Sequence, residues 1–471
     1  MNKQVTNDIL EEFYKICNIP HVSRQEKQLS DFLKSELEPF CENVEQDELG
    51  NIWADIKASE GFENLPVIAL QAHIDMVYAM GENPSTDGKI LTKIQDGYLT
   101  TGGTSSLGAD CGAGIAIILW LIKNVKHAPL RIILTVQEEI GLIGACKISN
   151  DCTKDVKYLI NLDGFVSNKL TIGCAGGMRE HFSRPIELVE SPAGKAYEIS
   201  VSDFTGGHSG FDIDKKRGNA VLILGELLSK LQTKTPFAVA SLEGGEAFNA
   251  IPYNANAKII TAVSSEKSLR ELADEILKRH IKTDPMAKIN IKPCDAPEKV
   301  WTGELLTSVL TVLGGFANGV YAMHENLQNT VSDSSNLGRI YVKDGELCLD
   351  AMIRYMDEMA CQALHQSHLL VASMCGFISV VRTHYPAWKA KTDGYMLKRI
   401  SELYTKQNGK NPEILAQHVG LEPAYFTKNN EDLECICMGV DIDGCHSPSE
   451  RLKLDSIEPL VNILSDFLEN P

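Results

Sequence analysis

The sequence predicts an α/β protein carrying an α+β insertion, and three observations predict it. Apolar runs that read as buried strands alternate with helical periodicity in residues 1–186. Polar residues stand at the C-terminal ends of those strands, as in open α/β sheets. The texture changes near Ser191-Pro192-Ala193-Gly194 and returns after Pro386-Ala387-Trp388. The expected architecture is an open mixed, largely parallel sheet flanked by helices, built from residues 1–186 and 387–471. Residues 187–386 form an inserted domain with helices on one face of a mostly antiparallel sheet. A chain of 471 residues is too long for one simple core, which agrees with two domains.

Residues 7–17 and 23–38 have helical apolar periodicity, the second opening on Ser23-Arg24-Gln25-Glu26 in the manner of a capping box. Residues 44–56 read as strand, turn at Leu49-Gly50-Asn51, and strand. The run 67–70 is a buried strand that leads into His73 and Asp75. Residues 91–107, rich in Gly, Thr and Ser, form a hairpin or loop. Gly108-Ala109-Asp110-Cys111-Gly112 then leads into a helix over 115–124. Strands follow at 131–139, ending in Glu138 and Glu139, and at 158–163, ending in Asp163. In the insertion, strands are expected at 197–201, 238–242, 257–263 and 347–354, with helices at 215–231, 267–282 and 357–375. The last part reads as helix 397–406, strand 433–440 and helix 454–468.

Composition limits the function. A formal net charge of -18 excludes nucleic acid as the partner, because phosphate binding needs a basic face. The first eight residues lack a secretory apolar core, and the longest apolar stretch, 114–122, is too short to span a bilayer. Thirteen cysteines without CxxC pairs suit reduced thiols. A cytoplasmic protein with no membrane partner is expected.

His73, Asp75, Asp110, Glu138, Glu139, Asp163 and His446 collect at the mouths of the first domain. Residues two apart on an extended chain share a side, so Asp75 can orient the His73 ring. Several carboxylates converging without a cation would repel one another and be costly to desolvate. Imidazoles and carboxylates together suit zinc, manganese or cobalt, and a dinuclear site removes the cost. Asp110 also stands where an N-cap for the following helix would stand. Cys111 and Cys445 flank these residues and read as small packing groups.

Gln71-Ala72-His73-Ile74-Asp75, Gly108-Ala109-Asp110, Gln137-Glu138-Glu139, Asn161-Leu162-Asp163 and Gly444-Cys445-His446-Ser447-Pro448 stand in a telling order. It resembles that of the dinuclear zinc aminopeptidase and carboxypeptidase superfamily, and more closely the aminoacyl-histidine (Xaa-His, carnosine-splitting) dipeptidases. Gly206-Gly207-His208-Ser209-Gly210, Asn249-Ala250-Ile251-Pro252, Ser334-Ser335-Asn336-Leu337-Gly338 and His418-Val419-Gly420-Leu421-Glu422 extend the resemblance over essentially the whole chain. Two stretches depart from it, Gly164-Phe165-Val166-Ser167 and Pro423-Ala424, and they leave the substrate's side chains open.

The resemblance implies two divalent metal ions, most often zinc, with Asp110 bridging. His73 and Asp163 complete one site, and Glu139 and His446 the other. It makes Asp75 the holder of the His73 ring and Glu138 the general base. The inserted domain becomes a lid that supplies His208 to the oxyanion and Asn249 and Arg354 to the substrate, and through which a homodimer forms; His418, in the last part of the chain, is a further substrate contact. A small peptide is the expected partner and dipeptide hydrolysis the expected reaction. The rivals are an N-acyl-amino-acid deacylase or tripeptidase of the same superfamily, and a silent metal-binding scaffold, against which the intact Glu138 argues.

Overall fold

The computed structural model describes residues 3–430 and 432–471; Met1 and Asn2, part of the stretch read above for a signal, lie outside them. The described chain divides into two compact units. The first runs to Cys174 and resumes over Trp388–Ala416 and Gly420–Pro471; the second comprises Ala175–Ala387 and Gln417–Val419.

The first unit has the expected fold class. Its main sheet runs Asn43–Gln46, Ile52–Ile56, Leu130–Thr135, Val67–His73, Val156–Gly164, Glu434–Gly439, Lys169–Cys174, Glu413–Gln417. The four central strands pair parallel and are apolar almost throughout, as strands covered on both faces must be. Helix Lys3–Cys17 buries Ile9, Leu10, Phe13 and Ile16, and helix Ala109–Asn124 is buried along nearly its whole length. His73, Glu138, Glu139 and Asp163 all lie at or beyond C-terminal ends of parallel strands, where open α/β sheets carry their sites. Residues 91–107 contain the hairpin Lys93–Gln95 and Tyr98–Thr100.

The second unit is built on an antiparallel sheet in the order Lys288–Cys294, Lys195–Ser202, Ala255–Thr261, Phe237–Gly244, Val331–Lys343, Glu346–Tyr355, Gly176–Pro185, Ile378–Tyr385, with Gly319–Met323 added on Val331–Lys343. Helices Ala220–Gln232, Glu266–His280, Gly303–Gly315 and Glu358–Met374 belong to this unit, and its core gathers Phe182, Leu224, Leu228, Ile259 and Val309.

Several expectations change. The second unit begins at Ala175 and not at 187, because Gly176–Pro185 pairs residue for residue with Glu346–Tyr355 and also with Ile378–Tyr385. Residues 417–419 belong to it too: Ala175 N–H donates to the Gln417 carbonyl and Ser334 Oγ bonds His418 Nε2. The helix expected from Ser23 starts at Lys27, since Arg24 takes a φ of 73° that no helix admits. The helix expected from 215 starts at Ala220, after a left-handed Lys216 (φ 55°), and Asn219 caps it by accepting from Val221 and Leu222. The strand before the two glutamates stops at Thr135, and Gln137 turns the chain with a φ of 56°. That turn lets adjacent Glu138 and Glu139 serve one locality.

Candidate metal centre and active site

The first unit assembles a linked row of side chains. Asp163 Oδ1 lies 3.6 Å from His73 Nε2, which lies 2.9 Å from Asp110 Oδ1. The other oxygen of Asp110 lies 3.1 Å from His446 Nε2, and that nitrogen is 2.9 Å from Glu139 Oε1. Asp110 thus turns one oxygen to each imidazole, the disposition of a bridging carboxylate. His73, Asp110 and Glu139 offer ligand atoms within 4.8 Å of one another, as do His73, Cys111 and Asp163.

Backbone geometry sets these positions. Gly108 holds a left-handed φ of 69°, and a Cβ there would meet the Met76 sulfur at 2.9 Å, so the approach requires glycine. Asp110 lies in the first turn of helix Ala109–Asn124 but is not its N-cap; its own φ and ψ (-86°, 107°) are non-helical, which frees the carboxylate to point at the two histidines. His446 also takes a left-handed φ, of 61°. The Asp75 carboxylate holds the segment of the two glutamates: it accepts from the Glu138 amide at 2.9 Å, the Glu139 amide at 3.3 Å and Ser23 Oγ at 2.7 Å. His73 Nδ1 bonds the Asp75 carbonyl at 2.9 Å, so the ring is oriented mainly by backbone, with the Asp75 carboxylate 3.7 Å away.

The electrostatics describe a cluster short of positive charge. Burial pushes Asp163 up to about 7, and neighbouring Asp110 and Glu422 add to the effect. Glu138 rises well above the carboxylate range through burial, with Asp163, Glu139 and Glu422 adding to it. Burial opposes charge on His73, but bonds to Asp110 and Asp163 carry its pKa well above the ordinary value. Bonds to Asp110 and Glu139 raise His446 to about 10. Burial disfavours the Asp110 carboxylate, yet bonds from both imidazoles hold it below the usual range. Protons on the imidazoles therefore stand where cations would neutralise the same carboxylates. The donor set, two imidazoles and three carboxylates, fits divalent cations of the zinc class. Cys111 donates from Sγ to the Leu162 carbonyl at 3.1 Å, and burial keeps its thiol protonated, so it packs and is not a thiolate.

Two buried acids escaped the sequence reading as site residues. Glu450 accepts from the amides of Leu107, Gly108 and Ala109 at 2.8, 3.2 and 2.9 Å, fixing the loop that presents Asp110. Glu422 accepts from Gln71 Nε2 at 2.6 Å and Thr135 Oγ1 at 2.7 Å, behind the strand that ends in His73. Its place within the quoted His418–Glu422 stretch was the available signal.

The second unit gathers the residues expected from the insertion. Arg354 is buried; its Nε donates to Ser209 Oγ at 3.3 Å and its Nη1 to Tyr385 Oη at 3.1 Å, and its Nη2 lies 3.2 Å from His208 Nε2. Arg354 is therefore not a surface ion-pair residue. His418 Nε2 bonds Ser334 Oγ at 2.7 Å, and the Asn249 carbonyl accepts from the Ser209 amide at 2.8 Å. Burial and the Arg354 charge depress His208 to about 4 and His418 to about 3.

A protein-family model, peptidase family M20/M25/M40, matches residues 69–470. The chain belongs to that family. It is 28% identical over 467 residues to the cytosol non-specific dipeptidase of Escherichia coli (strain K12), covering 97% of this chain and 96% of that protein. Among solved structures, aminoacylhistidine dipeptidase from Vibrio alginolyticus superposes with a TM-score of 0.89 at 28% identity, over 98% of this chain and 96% of that one. Aminopeptidase PepT from Bacillus cereus shares the fold at a TM-score of 0.58 and 15% identity, with 98% of each chain covered.

Proposed function

We propose that this metallopeptidase hydrolyses dipeptides, Xaa-His among them, with two divalent cations held by His73, Asp110, Asp163, Glu139 and His446. The observation that carries the reading is the unbroken row from Asp163 through His73, Asp110 and His446 to Glu139, with Glu138 beside it. The names and full-length coverage of the Escherichia coli and Vibrio alginolyticus relatives support it. Bound cations supply Lewis acidity and a nucleophile at neutral pH.

The chain's own residues do the rest. Glu138 takes a proton from the attacking water and returns it to the leaving amine. Asp75, gripping the Glu138 and Glu139 amides, positions the base. Arg354 pairs with the peptide's terminal carboxylate, and Asn249 and His418 contact the same substrate. Nδ1 of His208 accepts from the Gly210 and Phe211 amides, and Nε2 faces the donor Nη2 of Arg354 at 3.2 Å; an oxyanion donor requires the proton on Nε2, so that contact opens when the ring serves the substrate.

The protein acts as a cytoplasmic homodimer joined through the second unit. Edge strand Ile378–Tyr385 exposes Ile378, Val380 and Val381 in its first half, and helix Glu358–Met374 exposes Leu370 and Met374 in its last turns, an apolar set that a second copy covers. Among the described residues no helix is long and apolar enough to cross a membrane. The test is a panel of dipeptides, tripeptides and N-acyl amino acids assayed with zinc, manganese or cobalt. Preference for dipeptides supports the reading; preference for tripeptides or acyl amino acids replaces it with the corresponding rival.

A further inference from the structure

The second unit holds another set of metal-ligand side chains, remote in sequence from the row described above. Glu358 and Cys361 lie three apart at the start of helix Glu358–Met374, one turn on a shared face. His384 comes from the neighbouring strand Ile378–Tyr385. Their ligand atoms all fall within 4.8 Å of one another, and His384 Nε2 lies 3.6 Å from Glu358 Oε1. Ligand atoms in a tetrahedral zinc site stand about 3.3–3.8 Å apart, given bonds of roughly 2.0–2.3 Å. A fourth group, Tyr355 Oη, bonds His384 Nε2 at 2.7 Å and donates to the Tyr385 carbonyl at 3.0 Å.

The chemistry of the set is specific. Cys361 is fully buried among Met178, Ile353, Tyr355 and Leu364, whereas Glu358 and His384 are exposed, so a cation has an open approach on one side. A thiol, an imidazole and a carboxylate together select the borderline-soft ions, zinc above magnesium or calcium. Burial and the neighbouring acids Glu358, Glu180 and Asp333 hold the thiol near 12, which leaves it a poor free nucleophile.

We propose that Glu358, Cys361 and His384 form a separate zinc-class cation site. On binding, the Cys361 thiol proton is released to solvent, Sγ bonds the cation, and the His384 proton moves from Nε2 to Nδ1 as Nε2 becomes a ligand. The site adjoins the Arg354 cluster through the chain itself: Tyr355 follows Arg354, Tyr385 follows His384, and Tyr385 Oη accepts from Arg354.

Cobalt(II) titration of the full-length protein tests this, because thiolate-to-cobalt charge transfer gives a near-ultraviolet band that nitrogen and oxygen ligands do not. The wild type should develop the band and bind one more cobalt per chain than Cys361→Ser. Cys111→Ala, the control for the buried thiol beside His73 and Asp163, should keep the band. Should Cys361→Ser not fold, His384→Ala and Glu358→Gln, at exposed positions, carry the same comparison and should each lose the equivalent or weaken it tenfold or more. A wild type without the band overturns the proposal. So do equal cobalt stoichiometry and affinity in wild type and His384→Ala. The comparison does not depend on how many ions the first unit holds.

Discussion

Two pairs of histidines in this molecule have opposite surroundings. In the first unit His73 and His446 face Asp110, Asp163 and Glu139, and their pKa values rise, His446 to about 10. In the second, His208 and His418 lie beside the Arg354 guanidinium and fall to about 4 and about 3. One residue type therefore serves two purposes. Surplus carboxylate keeps the first pair charged; burial, with the Arg354 charge beside it, keeps the second pair neutral. Under the proposed function the first pair serves the metal ions, and the second the peptide's carboxylate and developing oxyanion.

The comparison can be broken at single residues. The largest effect belongs to Glu138→Gln, which should lower kcat by about 10²–10⁴ while metal content stays intact. If the variant loses metal instead, Glu138 and Glu139 have exchanged roles. Next comes His208→Ala, with a loss of about 10²–10³ in kcat, the scale for removing an oxyanion donor. Mixing inactive His208→Ala and Glu138→Gln chains then decides whose histidine acts. Recovered activity assigns it to the partner, and none, despite proven exchange, assigns it to the same chain or to no catalytic role.

Arg354→Ala should raise KM for dipeptides by about 10–100-fold, the worth of a charge-assisted pair, with a smaller change in kcat. An unchanged KM would remove the carboxylate pairing. Asp75→Asn should cost about 10–100-fold through misplacement of the Glu138 and Glu139 segment, with partial loss of metal affinity. The smallest effect is on stability. His208 and His418 have folded pKa values below that of a free imidazole, so the unfolded chain binds more protons between about pH 4 and 6.5. Their contribution is present above that window and lost as pH falls through it. The part of the thermal stability that these two histidines supply should therefore fall on acidification across the window, and Arg354→Ala, which removes a cause of both shifts, should flatten that part of the slope.

How much of this was legible in the sequence depended on where each partner came from. His73 and Asp163 were legible because an apolar run ending in a ligand-type residue is a strand end. Glu138 and Glu139 were legible as strand-end acids, although the strand stops at Thr135 and the turn at Gln137 carries them beyond it. Ser23 was misread as a cap, since its true partner, Asp75, is distant in sequence. Glu450 was invisible because it accepts from backbone amides, which leave no side-chain pattern. Strand Val331–Lys343 was missed for a related reason: it buries Ser334 and Asn336, which satisfy His418 and the Ala250 carbonyl, so polarity concealed it. The domain boundary slipped because strand Gly176–Pro185 continues directly from the first unit's chain and shows its allegiance only through pairing.

The most direct test of the central claim is hydrolysis of a dipeptide by the same preparation before chelation, after complete removal of metal, and after stepwise return of zinc, manganese or cobalt. Activity should vanish in the stripped protein and return as the row of His73, Asp110, Asp163, Glu139 and His446 is refilled, and Asp110→Ala should block that return. Full hydrolysis by the metal-free protein, or full reactivation of Asp110→Ala, would contradict the account.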